Sequence, residues 1–432
     1  MDSFYNTSVL ILQVVIGLAT GISLIHFVSV LVARKVGGEL PTRTPDRPLR
    51  TMFMVPALNE ELVIEASVKR LLSVPGEPEV VVIDDGSTDG TADIVNRLAG
   101  ENSRVRLIQR VAPNARQGKG EALNHAYRQL ARECEAQGID PSTVIICVMD
   151  ADGLLDTHVL KHVNELFGND DVGAVQIGVR IINRQSLLGR LQDIEFFTYC
   201  RLYQQGRNNL GSTGLGGNGQ FTRLSALISL GNRPWTECLT EDLDLGLQML
   251  LKGWRLAFTD KAYVHQQGLT DPKRLVRQRS RWVQGYFQCW KRIPEVLVMP
   301  GKWYSVVDLL FSLTWPAMSC LVMPVAIILS WFVVGWNMFS LDLALAMWLG
   351  LLGAGYVMAF GTSAIMAANY RKRSGDMTFW QMVVLIHGIG LFQFIWGLAG
   401  WKALWNIVRK QGSWAKTERI ATPSAPSTGV AG

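Results

Sequence analysis

Residues 79–90 read EVVVIDDGSTDG. Four consecutive β-branched residues, Val80 to Ile83, run directly into two aspartates and a Gly/Ser turn. A short, unalternating apolar run of this kind is a strand covered on both faces, as in a parallel sheet. The same grammar opens TMFMVPALNEE, from Thr51, and recurs in TVIICVMDADG, Thr143–Gly153. Between these runs, helical patterns cover about Glu60–Leu72, Thr91–Leu98 and Gly120–Ala136, and Val105–Gln109 reads as a further strand. Strands alternating with helices predict an α/β fold, a mostly parallel sheet with helices on both faces. Ligands of such sheets bind at the C-terminal strand ends, where Asp84–Asp85 and Asp150–Asp152 fall.

The surroundings are more apolar than a soluble domain requires. Of 432 residues 48% are hydrophobic and only 18% charged, against roughly 25% charged in ordinary soluble domains. The apolar residues gather at the two ends. Ser8–Val32 holds no Asp, Glu, Lys or Arg over 25 residues, more than the ~20 needed to cross a bilayer. No basic residue precedes that run and no small-x-small site closes it, which disfavours a signal peptide. Further apolar stretches cover about Trp315–Trp336, Leu343–Ala368 and Phe379–Gly400. The expected division is a membrane helix over 1–33, a soluble domain over 50–300, interfacial and membrane helices over 301–410, and a disordered tail over 420–432.

The net charge of +6 does not belong to the soluble domain, because residues 51–300 carry 28 Lys and Arg against 29 Asp and Glu. The excess flanks the apolar runs, at Arg34, Lys35, Arg43, Arg47, Arg50, Arg371–Arg373, Lys402, Arg409, Lys410, Lys416 and Arg419. Basic flanks mark the cytoplasmic side of a membrane, so a nucleic-acid partner loses its support. A multi-pass protein of the cell (plasma) membrane is expected, with its large domain in the cytoplasm. Four crossings would leave the basic tail outside, so Phe379–Gly400 is expected to be re-entrant or interfacial. The six cysteines (134, 147, 200, 238, 289 and 320) form no C-x-x-C pair and read as reduced core residues.

Four constellations carry chemistry. Asp150-Ala-Asp152, just past a buried strand, can offer two carboxylates to a hard divalent cation whose other ligands are phosphate oxygens; a solvated turn is the plainer alternative. Asp84 and Asp85 can accept from a base N–H or a ribose hydroxyl, while Ser87 or Asp89 can simply cap the following helix. Thr240-Glu241-Asp242 opens an amphipathic helix, where acids suit the helix dipole or one of Glu241, Asp242 and Asp244 serves as a base. In RLVRQRSRWVQG, from Arg274, helical spacing brings Arg274, Arg277, Gln278, Arg281, Trp282 and Gly285 to one face. Forked guanidinium groups there fit phosphate, although a basic membrane collar would also place arginines here. GSTGLGGNGQF, Gly211–Phe221, contains G-x-G-x-x-G but follows no apolar strand, so it fails the dinucleotide test and reads as a close-approach loop.

Taken in order, PALNEE, DDGSTDGT, KGEALNHA, DADG, TEDLDLG and QRSRW resemble the membrane-bound family 2 glycosyltransferases. These include cellulose, hyaluronan, chitin and poly-N-acetylglucosamine synthases and related glycolipid synthases. The resemblance implies a GT-A-type nucleotide-sugar-binding domain flanked by transmembrane helices. It implies donor contacts from Pro56, Asn59, Glu60, Asp85, Lys119, Asp150, Gln278 and Arg281. It further implies Mg²⁺ or Mn²⁺ on Asp150 and Asp152, and Asp242 as catalytic base. Trp282, Gly217, Asn218 and Glu241 are the implied acceptor contacts. The implied donor is a UDP-sugar, UDP-glucose or UDP-N-acetylglucosamine, with a glycan or lipid acceptor at the bilayer. A processive, β-linking polysaccharide synthase is the reading the complete Q-x-x-R-W favours. A single-addition enzyme acting on a lipid such as diacylglycerol is the alternative. No F-x-V-T-type segment follows Trp282, a departure from the cellulose synthases that fits a compact enzyme.

Overall fold

The computed structural model describes residues 21, 25–314, 316–318, 320–321, 345–374 and 377–409. Most of the first apolar run, most of Trp315–Trp336 and the tail expected to be disordered lie outside the described residues. The expected strands form where the apolar runs are. β1 (Arg50–Ala57), β2 (Glu79–Asp84), β3 (Val105–Gln109) and β4 (Val144–Val148) pair in parallel in the order β3-β2-β1-β4. Helices α1 (Ile64–Leu72), α2 (Thr91–Glu101) and α3 (Lys119–Ala136) make the crossovers. Strand order reverses between β1 and β4, and such a switch point opens a crevice beyond the carboxyl ends.

The second half of the sheet departs from uniform parallel pairing. β7 (Gln220–Arg223) lies antiparallel between β4 and β6 (Val172–Ile181), and β8 (Arg255–Gln266) runs parallel to β6. The two-residue β5 (Leu154–Leu155) closes the edge antiparallel to β8. Four strand pairs are parallel and three antiparallel. Because β7 is reversed, Gln220 pairs with Val148 at the carboxyl end of β4. The glycine loop before β7 is thereby delivered beside the acids after β4.

Alternate residues of β1 serve two cores. Met52 and Met54 pack with α3 residues such as Leu123 and Tyr127. Phe53 and Val55 pack with α1 and α4 (Val159–Phe167). A third apolar cluster joins α5 (Leu187–Thr198) to the C-terminal helices through Leu191, Ile194, Leu275, Tyr370, Leu385 and Phe392.

Two more helices set the site: α6 (Glu241–Leu251) and α7 (Pro272–Cys289). Asp271 caps α7 by accepting from the Lys273 N–H at 2.8 Å, with Pro272 in the first turn. Beyond them lie α8 (Leu345–Ser374) and α9 (Phe379–Val408). Thr378 and Gln381 form a reciprocal capping box at the start of α9.

Among the described residues α9 is one helix long and apolar enough to cross a membrane, with mean hydropathy 1.9. α8 bends by 47° near residues 357–360 and becomes a second if the bent pair is counted as one span. Thirty residues of helix reach about 45 Å, and α9 runs unbroken through Gly388, Gly390, Gly397 and Gly400. Of the two expectations for Phe379–Gly400, re-entrant or interfacial, the re-entrant one is therefore corrected: every backbone hydrogen bond of that stretch can be satisfied within one continuous helix.

Candidate active site

The carboxyl ends of β1 and β2 are stitched into one wall. Asn59 takes a left-handed backbone (φ 54°), its N–H donates to Ser87 Oγ at 2.9 Å and its Oδ1 accepts from the Thr88 N–H at 2.8 Å. The N–H of buried Glu60 donates to Thr91 Oγ1 at 2.8 Å. Pro56 sits in β1 itself, paired with Ile83. Asp85, at the end of β2, is buried. Its Oδ1 accepts from the guanidinium of buried Arg110 and from the Arg116 N–H at 3.0 Å. Burial lifts its carboxyl above the ordinary range, against the pull of the Arg116 N–H and Arg110. Ser87 does not cap α2; the capping position is Gly90, and Asp89 accepts from the Thr91 N–H at 3.0 Å.

Lys119, the first residue of α3, joins the remaining acids. Its Nζ donates to Asp150 Oδ1 at 2.8 Å and stands 3.8 Å from Glu241 Oε1. Burial disfavours its charge, but Asp150 and Glu241 outweigh that and hold the amine protonated well above its usual range. This ammonium occupies a position a cation can take beside the D-x-D acids, so the donor set suits a hard metal ion. Among the described residues no group of three or more His, Cys, Asp or Glu is placed to hold a metal. Asp150 and Asp152 would share it with phosphate and water oxygens.

The glycine loop faces these acids from the β7 side. Gly217 has φ 73°, and a Cβ there would stand 2.9 Å from Asp242 Oδ2. Asn218 Oδ1 accepts from the Asp150 N–H at 3.2 Å, and its Nδ2 donates to Gln266 Oε1 at 2.9 Å. Asp242 is half-buried against the loop, and its Oδ1 accepts from its neighbour Leu243 N–H at 2.8 Å. Desolvation, reinforced by the like charge of Glu241, pushes its pKa up to about 7 despite the Leu243 N–H and Lys119. If Asp242 must be ionised to act, turnover falls about tenfold per pH unit below about 7. A pH profile of kcat/KM reads this, and a flat profile down to pH ~5.5 excludes it.

The three acids of TEDLD have separate fates. Asp244 is fully enclosed, accepting from Thr236 Oγ1 at 2.6 Å and Arg292 Nε at 3.0 Å. Removing one member of a buried ion pair strands the other charge, at a cost of roughly 3 kcal/mol. Asp244→Ala should therefore lower the thermal midpoint of the purified protein; an unchanged midpoint would show the pair to be dispensable.

On α7, Gln278, Arg281 and Trp282 are half-buried, while Arg277 is exposed and Arg274 lies 3.8 Å from Asp271. Gly285 is in tight contact: a Cβ would meet Thr240 Oγ1 at 2.3 Å, so α7 can approach the T-E-D turn only with glycine there. Arg281 Nε is buried with no hydrogen-bond partner among the described residues, a donor left available to an anion. Arg279 is fully buried and donates to Gln278 Oε1 at 3.0 Å.

Sequence reasoning missed Gln176, His265 and Gln266. Gln176 Oε1 accepts from the Gly216 N–H at 2.8 Å and its Nε2 donates to Asn218 O at 2.9 Å, fixing the glycine loop. Its signal was present, one amide inside the apolar strand VGAVQIGVRI. His265 pairs with Asp156 at 2.8 Å. The cysteines at 134, 147, 238, 289 and 320 are buried, in accord with the reading as core residues.

Comparison with known proteins places the chain in a family. The family described as Glycosyltransferase like family 2 matches residues 48–285. Beta-monoglucosyldiacylglycerol synthase of Nostoc is 34% identical over 285 residues, covering 63% of this chain and 56% of the relative. Poly-beta-1,6-N-acetyl-D-glucosamine synthase of Staphylococcus aureus is 28% identical, covering 54% of this chain and 53% of the relative. The chain thus spans about half the length of the curated relatives it matches. A mannosyltransferase of Pyrobaculum calidifontis, solved with GDP-mannose and Mn²⁺, superposes with a TM-score of 0.58 at 19% identity, over 90% of this chain and 99% of that one; it shares the fold. Because the family match over residues 48–285 covers more than half its length, the chain belongs to the family 2 glycosyltransferases.

Proposed function

We propose that the protein transfers a hexose from a UDP-α-sugar to a hydroxyl of a membrane lipid, forming a β-linkage. One observation carries the chemistry: Lys119 ties Asp150, on the donor side, to Glu241 beside Asp242, and Gly217 lets the glycine loop come close against the Asp242 carboxylate. Asp242 removes the acceptor proton as the oxygen attacks the anomeric carbon from the face opposite the diphosphate. The bond to UDP breaks, and configuration inverts. A carboxylate held near neutrality matches this task. Arg281 and Lys119 hold positive charge against the departing diphosphate, Asn59, Glu60 and Asp85 shape the nucleoside wall, and Gln278 lies beside Arg281 on α7. Bound at Asp150 and Asp152, Mg²⁺ or Mn²⁺ would supply Lewis-acid neutralisation of the diphosphate. Trp282 offers its indole to the acceptor, with Gly217, Asn218 and Glu241 around the attacking hydroxyl.

The lipid acceptor is favoured by the 33–34% identity to cyanobacterial glucosyldiacylglycerol synthases and by the contact of Trp282 with Trp396 on apolar α9. The second reading, a polysaccharide synthase, draws on the poly-N-acetylglucosamine synthase relatives and the complete Q-x-x-R-W. The domain over 50–300 is placed in the cytoplasm, with helices over 301–410 at or in the cell membrane; the basic flanks at Arg34, Lys35 and Arg371–Arg373 support this. Incubating the protein in lipid with labelled UDP-glucose or UDP-N-acetylglucosamine and Mg²⁺ or Mn²⁺ tests the proposal. Label in the organic phase supports a glycolipid product, glycosidase-sensitive polymer supports the second reading, and neither product defeats both.

Arg281→Ala separates an active-site role from a collar. An inserted protein of unchanged topology that has lost about a hundredfold or more in transfer fits a diphosphate contact. Altered topology with retained turnover fits a collar.

A further inference from the structure

Trp282 is backed by a buried ionic knot that the proposed chemistry does not use. Arg279 has a relative exposure of 0%. Its Nη2 donates to Glu195 Oε2 at 2.6 Å, while Glu195 Oε1 accepts from Trp396 Nε1 at 2.6 Å. The guanidinium carbon lies 3.9 Å from the Trp282 ring centroid and 5.1 Å from that of Trp396. Phe196, adjacent to Glu195, meets Trp282 edge-on at 6.1 Å. Three helices therefore converge: α5 gives the carboxylate, α7 the cation and the platform indole, and apolar α9 a second indole.

Packing alone does not call for this arrangement, because apolar side chains of similar volume fill such a space at least as stably as a buried ion pair. What the pair supplies is direction. A planar guanidinium stacked on one face of an indole leaves that ring a single face to offer. Glu195 in turn sets where the guanidinium lies, and ties it to α9 through the same carboxylate.

We infer that Glu195 is a positioning residue: it brackets Arg279 and Trp396 so that the Trp282 indole meets the acceptor in one orientation set by α9. This rests on the reading of Trp282 as the acceptor platform. Glu195→Gln keeps the volume and an acceptor for the Trp396 N–H but removes the counter-charge of Arg279.

The test measures transfer to diacylglycerol in mixed micelles alongside hydrolysis of UDP-glucose by water, which has no use for the platform. The expected result is an acceptor KM raised about tenfold or more, with hydrolysis retained and Glu195→Asp partly restoring transfer. An unchanged acceptor KM, or transfer and hydrolysis falling together, overturns the inference. A second measurement is independent of substrate: ¹⁹F NMR of the full chain labelled with 5-fluorotryptophan, the Trp282 signal assigned by Trp282→Phe. In Glu195→Gln that signal should shift or broaden while that of core Trp235 stays put; an unmoved Trp282 signal overturns the inference even if no transfer is found with any donor. If Glu195→Gln does not fold, Trp396→Phe removes the N–H bond to Glu195 and narrows the ring beside Trp282 while leaving the Arg279–Glu195 pair, and should move the same signal less. If Trp396→Phe leaves it in place, the bracket is absent.

Discussion

Asp242→Asn should lower the rate of sugar transfer by about a hundredfold to ten-thousandfold while UDP affinity stays within about twofold of the unaltered protein. The substitution keeps the shape and can still accept from the Leu243 N–H, so the helix start is not disturbed. It removes the basic oxygen that faces Gly217. A loss in kcat without a loss in donor binding is the mark of an interaction made in the transition state. The pair of measurements needed is transfer kinetics and UDP titration. Turnover that survives the change would move the base to Glu241, the neighbouring acid, which stands 3.8 Å from Lys119.

The second large effect concerns Asp150 and Asp152. Replacing both with alanine should abolish the stimulation of UDP binding by Mg²⁺ or Mn²⁺, a loss of at least tenfold in affinity at saturating metal. Lys119 would lose its 2.8 Å partner and retain only Glu241. The domain should still fold, because neither carboxylate is buried in either core cluster. Calorimetric titration of UDP with and without metal reads the result. Metal-dependent binding that persists unchanged would remove these two acids from the donor site.

The first half of the sheet was legible because β1, β2 and β4 are built on contiguous apolar runs, the latter two leading into aspartates. β3 is found at the expected Val105–Gln109, and α3 begins one residue before the expected start. The reversed β7 was not legible. QFTR is four residues long, carries three polar side chains and follows a glycine loop, so its strand signal is tertiary. The site motifs were readable as residues but not as partners. Nothing local to Lys119 says that it will join acids 31 and 122 positions away. On α7 the arginines repeat so closely that periodicity cannot tell which faces the core. Arg279, absent from the face that spacing assigns to Arg274, Arg277 and Arg281, is the arginine that is fully buried, paired with Glu195, 84 residues upstream.

The reversal at the β4–β7 seam has an evolutionary consequence. On the proposed reading the nucleoside wall comes from the parallel half, whereas the glycine loop, Asp242 and most acceptor contacts follow after the chain turns back, with Gln278 and Arg281 reaching back to the diphosphate from α7. Mutations beyond that seam and away from Gln278 and Arg281 can reshape what receives the sugar while the nucleoside wall is inherited intact. A lineage built this way can diversify its products by remodelling one half of a single sheet, and relatives as different as a lipid glucosylating enzyme and a polymer synthase are what such modular inheritance would leave behind.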